Sequence, residues 1–291
     1  MNRADVTFLS GGTRCAGWLY RPDNAARDLP CVVMAHGFGL RRHDGLPGYA
    51  EALAQAGAAV LVYDHRYLGD SEGEPRQRVR MSEQLQDRLA AIAFARTIEG
   101  IDPGGIIVWG YSLSGGTAVQ AAAADQQVAG AILLCPFLDG RWRSNHGMRI
   151  QPRNAAWVTV QAMRDTLIPI AAEPGTHGGM TFPGEFAGFR SIAAPDWRNE
   201  VYAGVTRSLP FWRPVARARK LNCPALIQAG ERDTSVSARA IARLAQRAPR
   251  ATLKNYDVNH FQAFNATHSP QIITDQADWL RALLTARCRR S

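Results

Sequence analysis

The stretch Ile106-Ile-Val-Trp-Gly110-Tyr-Ser112-Leu-Ser114-Gly115-Gly116 decides how the rest of the chain is read. Its first half is a continuous apolar, β-branched run, which reads as a strand buried on both faces. The alanine-rich segment that follows, Leu113 to Ala124, reads as a helix. Between the two stands a serine flanked by small residues, the pattern of a sharp strand-to-helix turn that lifts a hydroxyl clear of a sheet for nucleophilic attack. Gly110 precedes Ser112 by two positions, and Ser114 and Gly115 follow it, so neighbouring backbone has room to pass. The usual G-x-S-x-G carries a second glycine where this chain has Ser114, which leaves two serines in contention; the register favours Ser112, because Ser114 as nucleophile falls a residue pair into the helix.

Outward from this turn, apolar runs alternate with segments of helical length. Val6–Leu9, Ala16–Tyr20, Cys31–Met34, Ala58–Tyr63, Ile106–Trp109, Val128–Leu134, Ala225–Ala229 and Thr252–Tyr256 read as eight strands. Tyr49–Gln55, Met81–Ile98, Leu113–Ala124, Ser237–Ala248 and Gln271–Arg287 read as helices. Such alternation predicts an α/β fold, a mostly parallel sheet covered on both faces. The rhythm breaks over residues 137–215, where Gly, Pro, Trp and Arg crowd together; this is too long for a bare loop and reads as a largely helical cap inserted into a core formed by 1–136 and 216–291. Within it and at its edge, Phe137, Trp157, Phe182, Phe186, Trp197 and Phe211 are the expected substrate-pocket residues.

Downstream of the serine, in the order acid then histidine, lie Gly230-Glu-Arg-Asp233 after the seventh strand and Asn259-His260-Phe261 after the eighth. A carboxylate there orients an imidazole, and the imidazole takes and returns the serine proton. Asp233 is the preferred acid, with Glu231 a weaker rival and Asp139, at the end of the sixth strand, a second candidate. The loop His36-Gly37-Phe38-Gly39 ends the third strand and offers backbone N–H groups; with Ser112 as nucleophile, the Phe38 and Leu113 amides are the expected oxyanion donors, each typically worth about 3 to 4 kcal/mol of barrier. His36 itself reads as a packing residue. Asp64-His-Arg66 and Gly69-Asp-Ser71 place acids and bases at close quarters and read as loop structure rather than a metal site. No zinc-protease, phosphate-loop or dinucleotide motif stands in the chain, so no metal and no cofactor is expected.

Together the His36-Gly37-Phe38-Gly39 loop, Asp64-x-Arg66-x-x-Gly69-x-Ser71, the Gly110-Tyr-Ser112-Leu-Ser114-Gly115-Gly116 turn, Gly230-x-x-Asp233 and Asn259-His260-Phe261 resemble, in order, the landmarks of the α/β-hydrolase superfamily. The chain is most similar to the group near X-prolyl dipeptidyl peptidases and fungal polyketide transferases, whose serine turn also reads Gly-x-Ser-x-Ser-Gly-Gly. The resemblance implies an eight-stranded sheet with an inserted cap, and a serine rather than an aspartate nucleophile. It implies hydrolysis of an ester, thioester or amide of a small to medium apolar acyl group, or transfer of that group to an alcohol or amine. A non-catalytic receptor on the same fold is the rival from another class.

The remaining composition bounds the partners. The chain has 291 residues and a net charge of +9, almost wholly from arginine, since Lys220 and Lys254 are the only lysines. The arginines are scattered, with no nucleic-acid-binding motif, so nucleic acid is not an expected partner. Arg41, Arg42, Arg141, Arg143, Arg149 and Arg153 are candidates to meet an acidic acyl carrier or a coenzyme A thioester. Five widely spaced cysteines without a C-x-x-C pair argue against a disulfide framework and read mainly as small buried hydrophobes. No run reaches the roughly 18 to 20 apolar residues that span a bilayer, and Met1 to Gly12 lacks a secretory pattern, so a cytoplasmic location is expected and no membrane contact. The oligomeric state is left open.

Overall fold

The computed structural model describes residues 1–23, 28–141, 144–145 and 148–289. Eight strands form one sheet: β1 (Asn2–Ser10), β2 (Thr13–Arg21), β3 (Leu29–Ala35), β4 (Ala59–Tyr63), β5 (Ile101–Tyr111), β6 (Gly130–Leu134), β7 (Ala225–Gly230) and β8 (Ala251–Tyr256). Their spatial order is β1-β2-β4-β3-β5-β6-β7-β8, antiparallel through β1, β2 and β4 and parallel from there on. This is the expected α/β architecture, each of the eight strand readings falling on one of these elements.

The central strands are apolar throughout because both faces are covered. Successive residues feed opposite layers: Val32 and Met34 of β3, Val60 and Val62 of β4, and Ile107, Trp109 and Tyr111 of β5 enter one apolar cluster, while Cys31, Val33 and Ala35, Leu61 and Tyr63, and Ile106 and Val108 enter the other. That two-residue alternation is the pleat itself. Helices α1 (Leu46–Gln55), α2 (Met81–Thr97), α3 (Leu113–Ala124), α6 (Ala238–Arg247) and α7 (Ser269–Cys288) cover the sheet. Helix α1 starts earlier than its sequence suggests, because Pro47 sits in the first turn, where a missing N–H costs nothing.

Register brings the strand ends together. Ala35 pairs with Gly110 and Gly110 with Leu133, and Gly230 pairs with Tyr256. The loops that leave β3, β5, β6, β7 and β8 therefore emerge along one rim. Between β3 and β5 the chain reverses its direction of progress across the sheet, the place where open α/β sheets leave a crevice.

Between β6 and β7 the chain makes α4 (Pro152–Arg164), α5 (Glu185–Ile192), two-residue strand pairs at Leu167–Ile168 with Val201–Tyr202 and Ser144–Asn145 with Met148–Arg149, and 3-10 stretches at Ala203–Phe211 and Pro214–Lys220. The last of these already packs on α3 and α6. The insertion is latched to the β3–α1 loop: the Trp197 indole donates to Gly39 O at 2.9 Å, Ala194 N to Asp44 Oδ1 at 2.7 Å, and Arg41 pairs with Asp196 at 2.8 Å. Among the described residues no helix is long and apolar enough to cross a membrane. Cys15, Cys31 and Cys135 are buried, whereas Cys223 is half-buried and Cys288 exposed.

A chain of buried amides ties α7 to the sheet. Trp109 Nε1 donates to Gln276 Oε1 at 2.9 Å, Gln276 Nε2 to Gln228 Oε1 at 2.7 Å, and Gln228 Nε2 to the Tyr256 hydroxyl at 2.7 Å. Replacing Gln276 by Leu strands the Trp109 N–H and the Gln228 carbonyl away from water. We expect Gln276→Leu to lower the unfolding free energy by about 2 to 4 kcal/mol in urea titrations, from the two orphaned groups; a change below about 0.5 kcal/mol contradicts this reading.

Candidate active site

The turn after β5 has the backbone that the serine motif demands. Ser112 sits at φ 53°, ψ −119°, a sparsely populated conformation for a residue with a side chain. The crowding explains the flanking glycines. A Cβ at Gly110 would lie 2.2 Å from Ser114 O, one at Gly116 2.5 Å from Phe137 O, and one at Gly37 3.0 Å from the Ser112 Cβ. Backbone bonds hold the turn from beneath: Ser112 N donates to Leu134 O at 3.0 Å and Phe137 N to Ser112 O at 2.8 Å.

The two serines are separated by burial. Ser112 is half-buried and lines a cavity; Ser114 is fully buried. Its hydroxyl accepts from Arg88 Nη2 at 3.0 Å. Arg88, itself fully buried, uses all its donors on neutral acceptors: Thr117 Oγ1 from Nε, Val33 O and Trp109 O from Nη1, Ser114 O and Oγ from Nη2. One guanidinium thus grips the last turn of β5 and the first of α3, on either side of Ser112. The hydroxyl that departs from the glycine pattern is an acceptor for this cation. In the sequence nothing distinguishes Arg88 from the other charged residues of its helix.

The histidine and the acid meet. His260 Nδ1 lies 2.7 Å from Asp233 Oδ2, both side chains about 3% exposed. Asp233 Oδ1 accepts from Ser235 N at 2.8 Å and Val236 N at 3.2 Å, so the carboxylate is oriented by its own loop. Asn259 Oδ1 accepts from Phe261 N and Gln262 N, both at 3.0 Å, a turn that fixes the residue between. Tyr111, the residue before the serine, donates its hydroxyl to His260 O at 3.0 Å and lies over the imidazole with centroids 4.8 Å apart. From the insertion, Phe189 packs on Phe261 at 5.1 Å. The other acids do not reach the imidazole: Asp139 receives Arg141 N at 3.0 Å and faces Arg213 at 3.4 Å, and Glu231 is exposed.

His36 is a loop residue, as expected: it engages Asp44 O, accepts from Gly37 N at 2.7 Å and stacks on Phe264. Burial pushes its pKa down to about 4. The Asp64 segment is likewise structural. Asp64 pairs with Arg42 and accepts Arg42 N and Asp70 N; Arg66 binds Asp87 and Ser10. Arg42 is therefore buried and paired, and Arg41 is tied to Asp44 and Asp196, which corrects the expectation that these two are available to a carrier. Arg141 donates to Pro210 O at 3.0 Å, Arg143 lies outside the described residues, and Arg149 and Arg153 are exposed.

The clusters with metal-ligand atoms have other occupations. In Cys135, Asp233 and His260, burial drives the thiol well above its ordinary pKa and the acid is bonded to the imidazole. In His43, Asp64 and Asp70, Arg42 already neutralises the carboxylates.

A cavity of about 170 Å³ opens over Ser112. Phe38 and Leu113 line it, the latter as the first residue of α3, whose N–H has no partner within its helix. Of the expected pocket residues, Phe137 and Phe182 are in the wall. The other four are not. Phe211 is 82% exposed, because its 3-10 stretch turns Val205 and Leu209 inward instead. Trp157 stacks on His177 at 4.9 Å, Phe186 lies under Arg190, and Trp197 stacks on Phe189 while holding Gly39. Missed from the sequence were Glu185 and Ser235, both in the wall.

Residues 32–283 match the family model described as the alpha/beta hydrolase family. The chain belongs to that family. It is 31% identical to the quorum-quenching protein AidA of Acinetobacter baumannii, over 97% of this chain and 96% of that one. It is 32% identical to the thiohydrolase aneE of Aspergillus aculeatus, over 75% and 73% of the two chains. Over a shorter stretch, 59% of this chain and 55% of the relative, it is 36% identical to the polyketide transferase af380 of Aspergillus fumigatus. Among solved structures, the alpha/beta hydrolase GrgF from Penicillium sp. superposes with a TM-score of 0.83 at 22% identity, covering 98% of this chain and 100% of that one. The fungal polyketide transferases to which the serine turn pointed are thus among its relatives.

His36 gives the site a pH signature in stability. The unfolded chain takes up a proton at the imidazole near pH 6.5, whereas the folded chain holds His36 neutral down to about 4. Stability from this group is therefore present above pH 6.5 and is lost as pH falls through that window, by about 3 kcal/mol in all. Burial lowers His65 in the same sense. His36→Gln is expected to flatten the decline in unfolding free energy between pH 7 and 4; an unchanged slope contradicts the assignment.

Proposed function

We propose that the protein is a serine hydrolase that cleaves an ester or thioester of a small to medium apolar acyl group through an acyl-enzyme. The observation that carries this reading is the buried His260–Asp233 pair, 2.7 Å apart, at the same sheet rim as a strained, cavity-lining Ser112. A receptor has no use for a buried imidazole–carboxylate pair beside an accessible hydroxyl, and the cost of desolvating it is otherwise unexplained.

In the proposed reaction Ser112 Oγ attacks the carbonyl carbon and its proton passes to His260 Nε2, the ring nitrogen left over once Nδ1 is bound to Asp233. Asp233 fixes that tautomer and stabilises the imidazolium. The backbone amides of Phe38 and Leu113 receive the oxyanion, the latter aided by the positive end of α3. Collapse breaks the bond to the leaving group, which takes the proton from Nε2. Water, deprotonated by the same nitrogen, then frees the acid and regenerates Ser112. The insertion serves as the cap of this site. Two relatives named as thiohydrolases support the direction of the reaction.

A second reading has its own support. Polyketide transferases are among the relatives, and transfer to an alcohol or amine uses the same acyl-enzyme with a different acceptor. On that reading the exposed Arg149 and Arg153, next to the cavity residue Ile150, would face a carrier or coenzyme A.

A cavity of about 170 Å³ is the size that takes a benzene-like group or a short chain. For p-nitrophenyl esters we expect kcat/KM to peak between butyrate and octanoate. Ser112→Ala is expected to lower kcat on the order of a million-fold, whereas Ser114→Ala should act mainly on stability, by about 1 to 2 kcal/mol from the lost Arg88 acceptor. Retained turnover in Ser112→Ala refutes the reading. Partition of the acyl group between water and added alcohol, followed by product analysis, separates hydrolysis from transfer.

A further inference from the structure

The wall over Ser112 is mostly apolar, with Met81, Ile168, Met180, Val201 and Leu209 among its residues, yet it contains a carboxyl group. Glu185 begins α5 and is 3% exposed. Its Oε2 accepts from Phe182 N at 2.8 Å and its Oε1 from the Ser235 hydroxyl at 2.7 Å. A carboxyl oxygen has two lone pairs, so each retains acceptor capacity beyond these bonds. Among the described residues, the other polar side chains of the wall are neutral, and Glu185 is its one carboxyl group. Asn154 exchanges bonds with Gly178 at 2.9 and 3.1 Å and donates to Thr181, and Thr206 donates to Ala203 O at 2.7 Å.

The position of Glu185 says which end of a substrate it meets. Ser235, its partner, stands two residues beyond Asp233 and gives that carboxylate an N–H. Asp233 in turn is bonded to His260 at 2.7 Å, so one hydroxyl and one short loop separate Glu185 from the imidazole's own acid. The carboxyl thus lies on the histidine's side of the cavity, and the histidine is the group that protonates the departing alcohol or thiol. Burial raises the Glu185 pKa, against the two hydrogen bonds it accepts. A purely apolar leaving group that covers this carboxyl removes its remaining hydration and returns nothing, the circumstance in which buried polar groups discriminate most sharply.

Resting on the serine-hydrolase reading above, we propose that Glu185 is a specificity-determining residue that accepts a hydrogen bond from an amide N–H or hydroxyl on the leaving-group side of the scissile bond. The preferred substrates are then esters or thioesters whose alcohol or thiol carries such a donor a few bonds from the reacting oxygen or sulfur. Within the fold the same carboxyl also straps the insertion to the Asp233 loop, so loss of stability alone does not report on recognition.

The test compares two thioesters that differ in one group. S-Hexanoyl-N-acetylcysteamine carries an amide N–H on its leaving thiol, and S-(4-oxopentyl) hexanethioate replaces that N–H by a methylene. Wild-type protein is expected to prefer the first on the order of tenfold or more in kcat/KM. Glu185→Gln should shrink that ratio, and Glu185→Leu should bring it near unity, with folding of each variant checked by thermal unfolding. Equal turnover of the two thioesters by wild type overturns the proposal, as does a Glu185→Gln variant that loses activity on both in parallel, the mark of a structural strap. Should Glu185→Leu fail to fold, the wild-type ratio and the Gln variant still decide. Turnover of neither thioester by wild type, with p-nitrophenyl esters also untouched, removes the hydrolase reading and this inference with it.

Discussion

The strained backbone of Ser112, at φ 53° and ψ −119°, is the constraint around which the rest of the structure is arranged. A conformation of this kind costs on the order of 1 to 3 kcal/mol and persists only where its surroundings over-determine it. Here they do so from every side. Gly110 and Gly116 admit backbone that any side chain would block, Leu134 O and Phe137 N close hydrogen bonds on the turn, and the Arg88 guanidinium holds Trp109 O and Ser114 O together. The return is a half-buried hydroxyl in the wall of a cavity, on a residue that the sheet would otherwise bury.

Parallel register supplies the second half. Residues remote in numbering are brought to one rim because β3, β5, β6, β7 and β8 end level with one another. Asp233 and His260 are then secured by local turns and not by the sheet: Ser235 and Val236 amides on the acid, Asn259 around the histidine, and the Tyr111 hydroxyl on the His260 carbonyl. A buried imidazole–carboxylate pair costs desolvation, and the preformed hydrogen bonds offset it. The cavity above is walled by the insertion, whose latches to Gly39 and Asp44 fix the loop that carries Phe38.

The parts of this molecule that obey a period were legible in the sequence. Eight strands and five core helices follow from alternation of apolar runs, because a two-sided sheet forces continuous hydrophobic strands. The contact between His260 and Asp233 was legible from order along the chain, since each follows a parallel strand. The insertion obeys no period, so the aromatic residues Trp157, Phe186, Trp197 and Phe211 were expected in the pocket on composition alone, and they face other rings, a guanidinium or solvent. Arg88 and Glu185 were illegible for a different reason. A charged residue in a helix reads as surface, and only packing turns one into a staple beneath the serine and the other into the wall of a cavity. Tyr111 carried a weak signal in its place beside the serine; Ser235 carried none.

Covalent trapping reads out the nucleophile itself: incubation of the intact protein with a fluorophosphonate, then digestion and mass spectrometry of the modified peptide. A Ser112 nucleophile activated by His260 gives a single stoichiometric adduct on Ser112, formed rapidly by the wild type and slowed by several orders of magnitude in His260→Ala. An adduct on Ser114, or a folded protein that stays unmodified, contradicts it.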